Sequence, residues 1–381
     1  MANDCLQMNY PRAKEIDILP EWPVRVMYRR RVAICKGSRM RNTSQRRPTV
    51  TDVAKVAKVG ASTVSRYLRG INIRPSAAQR VSAAIEKLGY TPDEAARALR
   101  GGSTRTIGIV VPQVDNTFFS KAIQAIESEA HRRGFSIILQ LHEEDPERQL
   151  QQLATLRRYR TDGVILSLAP RSKPTEIAQI LAEIPTIAFD RNISDEFDSV
   201  TLRNREAGRA ATDHLLRHGY TGIACVTART ELFTFKERIQ GYMDAMQSAG
   251  HKPHVMEAKD YNELRLMLAS ALSTKKHPEA LLSLSNMATG SILCAFNDMG
   301  LADGARLPLI GFDDFDFAPL MNPALTVMRQ PVELMVRYAL DLLFRKIDAR
   351  AKVISPNEAS YEAQTITLAG ELVCRRSCGC G

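Results

Sequence analysis

The chain has 381 residues, 44% hydrophobic and 25% charged, which is ordinary for a globular protein with two or three domains. No apolar run approaches the roughly eighteen residues needed to cross a bilayer, and the N-terminus lacks a charged stretch followed by an apolar core. A cytoplasmic protein with no membrane partner is therefore expected.

The charge is uneven. Residues 1–105 hold 21 Lys and Arg against 8 Asp and Glu, so the net +10 divides into +13 here and −3 over the rest. A basic head on a near-neutral body reads as a nucleic-acid module joined to something else. Residues 1–45 follow no periodic pattern and are basic around Arg29-Arg-Arg31. They are expected to be a disordered arm, or to lie upstream of a start at Met40.

Thr49-Val-Thr-Asp52 has the form of a capping box, with Asp in place of the usual Glu or Gln. Val50, Val53, Ala54 and Ala57 then follow at helical spacing, Lys58-Val-Gly60 interrupts, and a second short helix carries Ala61, Val64 and Leu68 on one side. Its other side carries Ser62, Ser65, Arg66 and Arg69. Two short helices joined by a tight turn, the second with a polar, cationic outer face, form a helix-turn-helix. Short hydroxyls can approach base edges, and Arg66 can reach a guanine or a phosphate. A third helix is expected from an N-cap at Ser76, packing through Val81, Ile85 and Leu88 and ending at Gly89.

The segments Asp52-Val-Ala-Lys-Val-Ala, Ser62-Thr-Val-Ser-Arg66, Leu88-Gly-Tyr90-Thr-Pro92 and Ala96-Arg97-Ala-Leu99 resemble the lactose/galactose-repressor (LacI/GalR) family, in order and in spacing. The resemblance runs to about residue 376. It implies a recognition helix whose first exposed residues, Ala61 and Ser62, choose the DNA sequence with support from Arg66. Thr49, Thr63 and Ser65 join the expected DNA contacts. It also implies a hinge helix over about Asp93–Arg100, with Arg97 on the DNA and Leu99 wedged into a minor-groove step. Plain helix packing is the competing reading of Leu99. Lys58 and Gly60 stand where the family usually has Gly and Ser. Gly60 can still precede a helix as its cap, whereas Lys58 must turn left-handed or alter the turn.

From Thr106 the pattern alternates between strand and helix. Strands are expected at 107–111, 135–139, 163–166, 186–189, 223–226, 280–283 and 309–312, with helices such as 120–133, 206–218 and 236–249 between them. This means parallel sheets covered by helices, and the resemblance implies two such lobes around a ligand cleft, as in periplasmic sugar-binding proteins. Ligands bind outside the carboxyl ends of such strands. Asp190, Asp313 and Asn286 follow strands there, and Arg238 stands where the family places an effector-binding arginine. Phe118 and Phe119 open the first helix of the body. Carboxylates, an amide and a guanidinium beside an aromatic face suit a polyhydroxylated ligand. The competing readings are a structural ion pair for Arg238 and Asp313, strand-end turns for Asn286 and Asp190, and core packing for one phenylalanine. Facing an open cleft, Arg238 and Asp313 would be solvated and would add little stability. Met287 and Thr117 replace a usual Asp and Pro of the family.

No nucleophile elbow, phosphate-binding glycine loop, His-Glu-x-x-His or Cys-x-x-Cys motif is present, so neither an enzyme nor a cofactor is expected. The tail thiols Cys374, Cys378 and Cys380 lack an evident fourth ligand and read as free and inert. His214 and His218, four residues apart, read as a solvated helix face, and no metal is expected.

The expectation is thus an α/β chain with an all-α helix-turn-helix head. Residues 1–45 form a basic extension and 46–105 the DNA-binding domain with its hinge helix. Residues 106–373 form a two-lobed, periplasmic-binding-protein-like effector and dimerisation domain, and 374–381 a cysteine-containing tail. It would act as a homodimer or tetramer on a pseudo-palindromic double-stranded operator, most simply as a repressor, controlled by a small molecule of the sugar class. The alternative, a solute-binding protein of a sugar transporter, would need a signal peptide and no recognition helix.

Overall fold

The computed structural model describes residues 48–68, 70–91, 103–192, 194, 197–227, 230–273, 277–301, 307–352 and 363–380. The expected hinge helix with Arg97 and Leu99, and the extension 1–45, lie outside the described residues. The chain divides into two compact units, 1–91 and 92–381.

In the first unit α1 (Val50–Ala57) starts with the expected capping box. The Thr49 side chain accepts from the Asp52 N–H, and the Asp52 carboxylate accepts from the Thr49 N–H at 2.9 Å. Lys58 takes the left-handed conformation (φ 53°, ψ 49°), and its N–H turns back to the carbonyls of Ala54 and Lys55. The turn therefore keeps its usual shape, at a cost of roughly 1–2 kcal/mol for a residue with a Cβ. In α2 (Ala61–Leu68) Val64 is fully buried, and α3 spans Pro75–Leu88. The N-cap of α3 is Arg74, not Ser76. Pro75 occupies the first helical position, where its fixed φ and missing N–H cost nothing. Val53, Ala54, Ala57, Val64, Val81, Ala84 and Tyr90 make the small core, and Gly89 closes α3 left-handed.

The second unit holds two six-stranded sheets. The first lobe comprises β1 (Thr106–Val111), α4 (Thr117–Arg132), β2 (Ser136–Leu141), α5 (Pro146–Arg158), β3 (Gly163–Leu166), α6 (Pro174–Leu181), β4 (Thr186–Phe189) and β5 (Asp198–Leu202). The chain then crosses to the second lobe: α7 (Asn204–Arg217), β6 (Ile223–Thr227), α8 (Phe233–Ser248), β7 (His254–Glu257), α9 (Tyr261–Leu272), β8 (Ala280–Ser283), α10 (Asn286–Asp298), β9 (Leu309–Phe312) and β10 (Thr326–Arg329). It returns through α11 (Val332–Lys352) and β11 (Thr365–Leu368), and crosses a last time to β12 (Glu371–Val373). The sheet orders are β11-β5-β4-β3-β1-β2 and β12-β10-β9-β8-β6-β7, parallel throughout except for the antiparallel β10–β12 pair. Three crossings side by side make a hinge, where the Arg203 N–H donates to the Leu368 carbonyl at 2.8 Å.

Central strands buried on both faces are continuous apolar runs, as parallel sheets demand. Helices α7 and α8 cross backbone to backbone at Gly208 and Gly241. A Cβ on Gly208 would strike the Arg238 carbonyl, and one on Gly241 the Arg205 carbonyl. Gly241→Ala is expected to force these helices apart and cost about 1–3 kcal/mol, read by urea unfolding. Among the described residues no helix is long and apolar enough to cross a membrane.

Residues 374–380 are pinned to the second lobe. Ser377 Oγ donates to the Leu309 carbonyl and accepts from the Thr326 N–H, both at 2.7 Å, and the Ser377 N–H donates to Ala324 at 2.8 Å. This brings Cys378 into the core beside His214 on α7. His214 is buried, so the solvated-face reading of the histidine pair fails for its first member.

Candidate functional site

On α2 Ala61, Ser62 and Arg66 are exposed, while Thr63 and Ser65 are half-buried, as is Thr49 at the cap of α1. With Val64 fixed in the core, helical geometry places Ser62 and Arg66, four apart, on the outer side.

In the two-sheet unit the strand-end rule selects equivalent positions in the two lobes. Asp190 follows β4 and Asp313 follows β9, and both are left-handed, at φ 68° and 66°. Each N–H pairs with the neighbouring strand, Asp190 with Val200 and Asp313 with Met328, both at 2.9 Å. The strained backbone turns each carboxyl off its strand end. Such strain costs of order 1–3 kcal/mol and persists where the surroundings enforce it.

Both carboxylates lie within the electrostatic reach of Arg238, which α8 presents. All three residues are at least 94% buried. Arg238 Nε donates to Asn204 Oδ1 at 2.8 Å and Nη1 to the Leu284 carbonyl at 2.7 Å, with the guanidinium 3.8 Å from the Phe312 ring centroid. The expectation that Arg238 and Asp313 are solvated is thereby overturned: the lobes close over both. Burial pushes the Asp190 pKa up to about 6, against the charges of Arg191 and Arg238, with Asp313 and Glu144 adding to the rise. Burial also raises Asp313, opposed by Arg238, by the Gln330 amide donating at 2.7 Å and by the Asn286 N–H. Arg238 is lowered by burial against the pull of Asp313 and Asp190. The adjoining Asp314 is already taken by Arg329 and Arg375, at 2.6 and 2.9 Å.

Asn286 spans the lobes. Its Nδ2 donates to Asn116 Oδ1 at 3.0 Å and to Thr117 Oγ1 at 2.8 Å across the cleft, leaving its buried Oδ1 without a partner. Gln330 likewise leaves its Oε1 unpartnered. Lys121 reaches from α4 to the Asp314 carbonyl at 3.2 Å, next to a cavity of about 310 Å³ that Phe118, Asp313 and Gln330 also line. Phe118 and Phe119 are both core residues, 4% and 3% exposed. Phe118 stacks on Phe189 and Phe119 meets it edge-on. Core packing thus takes both rings, and Phe118 alone also lines the cavity.

Residues 104–363 match the family described as periplasmic binding proteins and sugar-binding domain of the LacI family, and residues 49–93 match the lacI family of bacterial regulatory proteins. The chain belongs to the LacI family. It is a DNA-binding transcriptional regulator. The ribose operon repressor of Escherichia coli (strain K12) is 30% identical over 306 residues, 78% of this chain and 93% of that protein. The transcriptional repressor PurR of Vibrio vulnificus (strain CMCP6) is 29% identical over 308 residues, 78% and 92% of the two chains. A lac repressor dimer bound to operator and the anti-inducer ONPF shares the fold, with a TM-score of 0.75 at 22% identity over 87% of this chain and 99% of that one.

In this LacI-family chain the cleft holds residues that the sequence reading passed over. Arg191, next to Asp190, is buried and bound by both oxygens of Glu144, at 2.7 and 2.8 Å. It also donates to the Leu168 carbonyl. Burial opposes its charge, but the Glu144 bonds hold its pKa above the ordinary value. His142 supports that loop. Its Nδ1 accepts from the Glu144 N–H at 3.1 Å, so Nε2 carries the proton and donates to the Ser167 carbonyl at 2.9 Å. Burial lowers the His142 pKa to about 4. The strand-end rule that found Asp190 would also have found Arg191. Gln330 follows β10, a strand the periodicity did not reveal.

Proposed function

We propose that the chain is an operator-binding repressor acting as a dimer, whose DNA affinity is set by a small polyhydroxylated effector held between the lobes. The head, 46–105, reads DNA through Ala61, Ser62 and Arg66, with Thr49, Thr63, Ser65, Arg97 and Leu99 in supporting contacts. The body, 106–373, takes the effector through Asp190, Arg238, Asn286 and Asp313, with Phe118 at the cavity edge and Phe119 behind it. The observation that carries the effector reading is the closure of both lobes on Asp190, Arg238 and Asp313 beside the unpartnered Asn286 Oδ1 and Gln330 Oε1. Buried acceptors without donors are costly, and ligand hydroxyls satisfy them. The ribose operon repressor among the relatives fits a sugar-class ligand. The lack of a catalytic constellation in the sequence favours a regulator without enzymatic activity.

The test is a gel shift on the DNA upstream of its own gene, with and without a panel of pentoses, hexoses and their phosphates. One of these is expected to change operator affinity and raise the melting temperature. If no compound in the panel does either, the sugar class is wrong. For the head, Arg66→Ala is expected to cost roughly 1–3 kcal/mol of discrimination between operator and random DNA. Equal losses on both DNAs would move Arg66 to the phosphate backbone.

A further inference from the structure

Five soft or borderline metal ligands meet where the C-terminal tail docks on α7. His214 Nε2 lies 3.3 Å from Cys378 Sγ and 3.4 Å from Cys380 Sγ, the two sulfurs are 3.0 Å apart, and Cys380 Sγ is 3.1 Å from His218 Nε2. The ligand atoms of His214, Cys378 and Cys380 all fall within 4.8 Å of one another. Cys374 Sγ lies 3.9 Å from the other nitrogen of His214, Nδ1.

We propose that His214, His218, Cys378 and Cys380 form a tetrahedral zinc site that staples the C-terminal tail to α7, apart from the effector cleft. Zinc takes two thiolates and two imidazoles at about 2.3 and 2.0–2.1 Å, which sets neighbouring ligand atoms about 3.3–3.8 Å apart. The three nitrogen–sulfur edges, 3.1–3.4 Å, need to open by a few tenths of an ångström and the 3.0 Å sulfur–sulfur edge by about 0.8 Å, and the His218 ring must swing inward to join His214, Cys378 and Cys380, whose ligand atoms already lie within 4.8 Å of one another. Histidines four apart on a helix face one way, and the two rings stand 4.7 Å apart between centroids. On the tail, Gly379 turns at φ 89°, and a Cβ there would strike the Tyr220 hydroxyl. The Cys-Gly-Cys turn thus presents both thiols to α7 under a constraint only glycine meets. Cys374, behind His214, is placed to hold the ring through Nδ1 as an outer-shell partner.

The protons balance simply. Zinc displaces one proton from each of Cys378 and Cys380, and both imidazoles bind neutral. Because the bound forms are thiolate and neutral imidazole, metal uptake weakens as pH falls.

The test uses the full chain, reduced and stripped by chelator, titrated with cobalt(II) and then zinc(II) salts. One cobalt per chain is expected, with the intense absorption of a tetrahedral thiolate complex, displaced by zinc. Cys380 is only partly buried and His218 is exposed, so Cys380→Ser and His218→Ala leave the packed core intact. Each should abolish the cobalt spectrum and weaken zinc binding at least about 100-fold, beyond what an outer-shell change costs. His218→Cys should restore a tetrahedral spectrum, and Cys294→Ser, at an exposed thiol elsewhere, should change nothing. An octahedral or absent cobalt spectrum, or zinc binding that survives Cys380→Ser, overturns the proposal. So does a reduced protein that takes no metal and reoxidises to a Cys378–Cys380 disulfide.

Discussion

Arg238→Ala is expected to destabilise the ligand-free protein by about 2–4 kcal/mol at neutral pH, chiefly because two buried acceptors lose a charged donor. Three losses coincide. Asn204 Oδ1 and the Leu284 carbonyl lose their donor, and the Phe312 ring loses the cation 3.8 Å from its centroid. Asp190 and Asp313, both already raised by burial, lose the positive charge that favours their ionised forms. The variant should take up protons more readily at both carboxyls, so its deficit should shrink on acidification below pH 6. Urea unfolding of both proteins at several pH values measures this. An unchanged midpoint at pH 7 would mean that the lobes stand open in solution and Arg238 is solvated. Operator binding at low temperature, where the variant remains folded, separates a lost fold from a lost effector response.

How much of this was legible in the sequence depended on how far apart the cooperating residues lie. Capping, turn and helix stripe in the head fall within a few residues of one another, so Thr49, Asp52 and Val64 declared themselves, while Pro75 moved the N-cap of α3 two residues earlier, from Ser76 to Arg74. Strands buried on both faces read clearly as apolar runs. The strand β5 did not, because it opens with buried Asp198, which Lys346 neutralises at 2.6 Å from α11. Strands β10, β11 and β12 are short and carry threonines, an arginine or a glutamate, so neither an apolar run nor a strict alternation marks them. Asp190 and Asp313 were found because a local rule points to strand ends. That Glu144 would satisfy Arg191 from 47 residues away, or that His214 would meet Cys378 across 164, follows only from the topology of the sheets. The burial of Arg238 was missed for the same reason, since lobe closure is not a local property.

Asp190→Asn is expected to stabilise the ligand-free protein at neutral pH and to blunt its response to effector. Burial raises the Asp190 pKa from 3.8 to about 6. Above pH 6 the carboxylate is ionised in both states, and folding bears the full burial penalty. The penalty lifts as pH falls from 6 towards 3.8, where the folded state binds the proton first. A shift of this size corresponds to about 3 kcal/mol, which the neutral amide removes at pH 7. Asparagine also tolerates the left-handed backbone at φ 68°, so no new strain offsets the gain. His142 runs with the opposite sign. Its pKa falls from 6.5 to about 4 on folding, so its contribution is lost as pH drops through that window. In the parent chain the two nearly cancel. In the variant the His142 slope is unmasked, and stability should fall by about 2 kcal/mol from these two groups between pH 7.5 and 5, against less than about 1 kcal/mol in the parent. Carboxylates remote from Asp190 contribute equally to both proteins and drop out of the difference, while Asp313 and Glu144, relieved of its charge, ionise more readily in the variant. A hydroxyl donating to Asp190 would form a charge-assisted bond worth about 1.5–3 kcal/mol, so effector affinity should fall by roughly one to two orders of magnitude. Urea midpoints of both proteins at pH 5 and 7.5, with effector titrations at pH 7.5, decide the matter. If the variant is less stable than the parent at pH 7.5, Asp190 holds the fold and does not wait, at a cost, for a ligand.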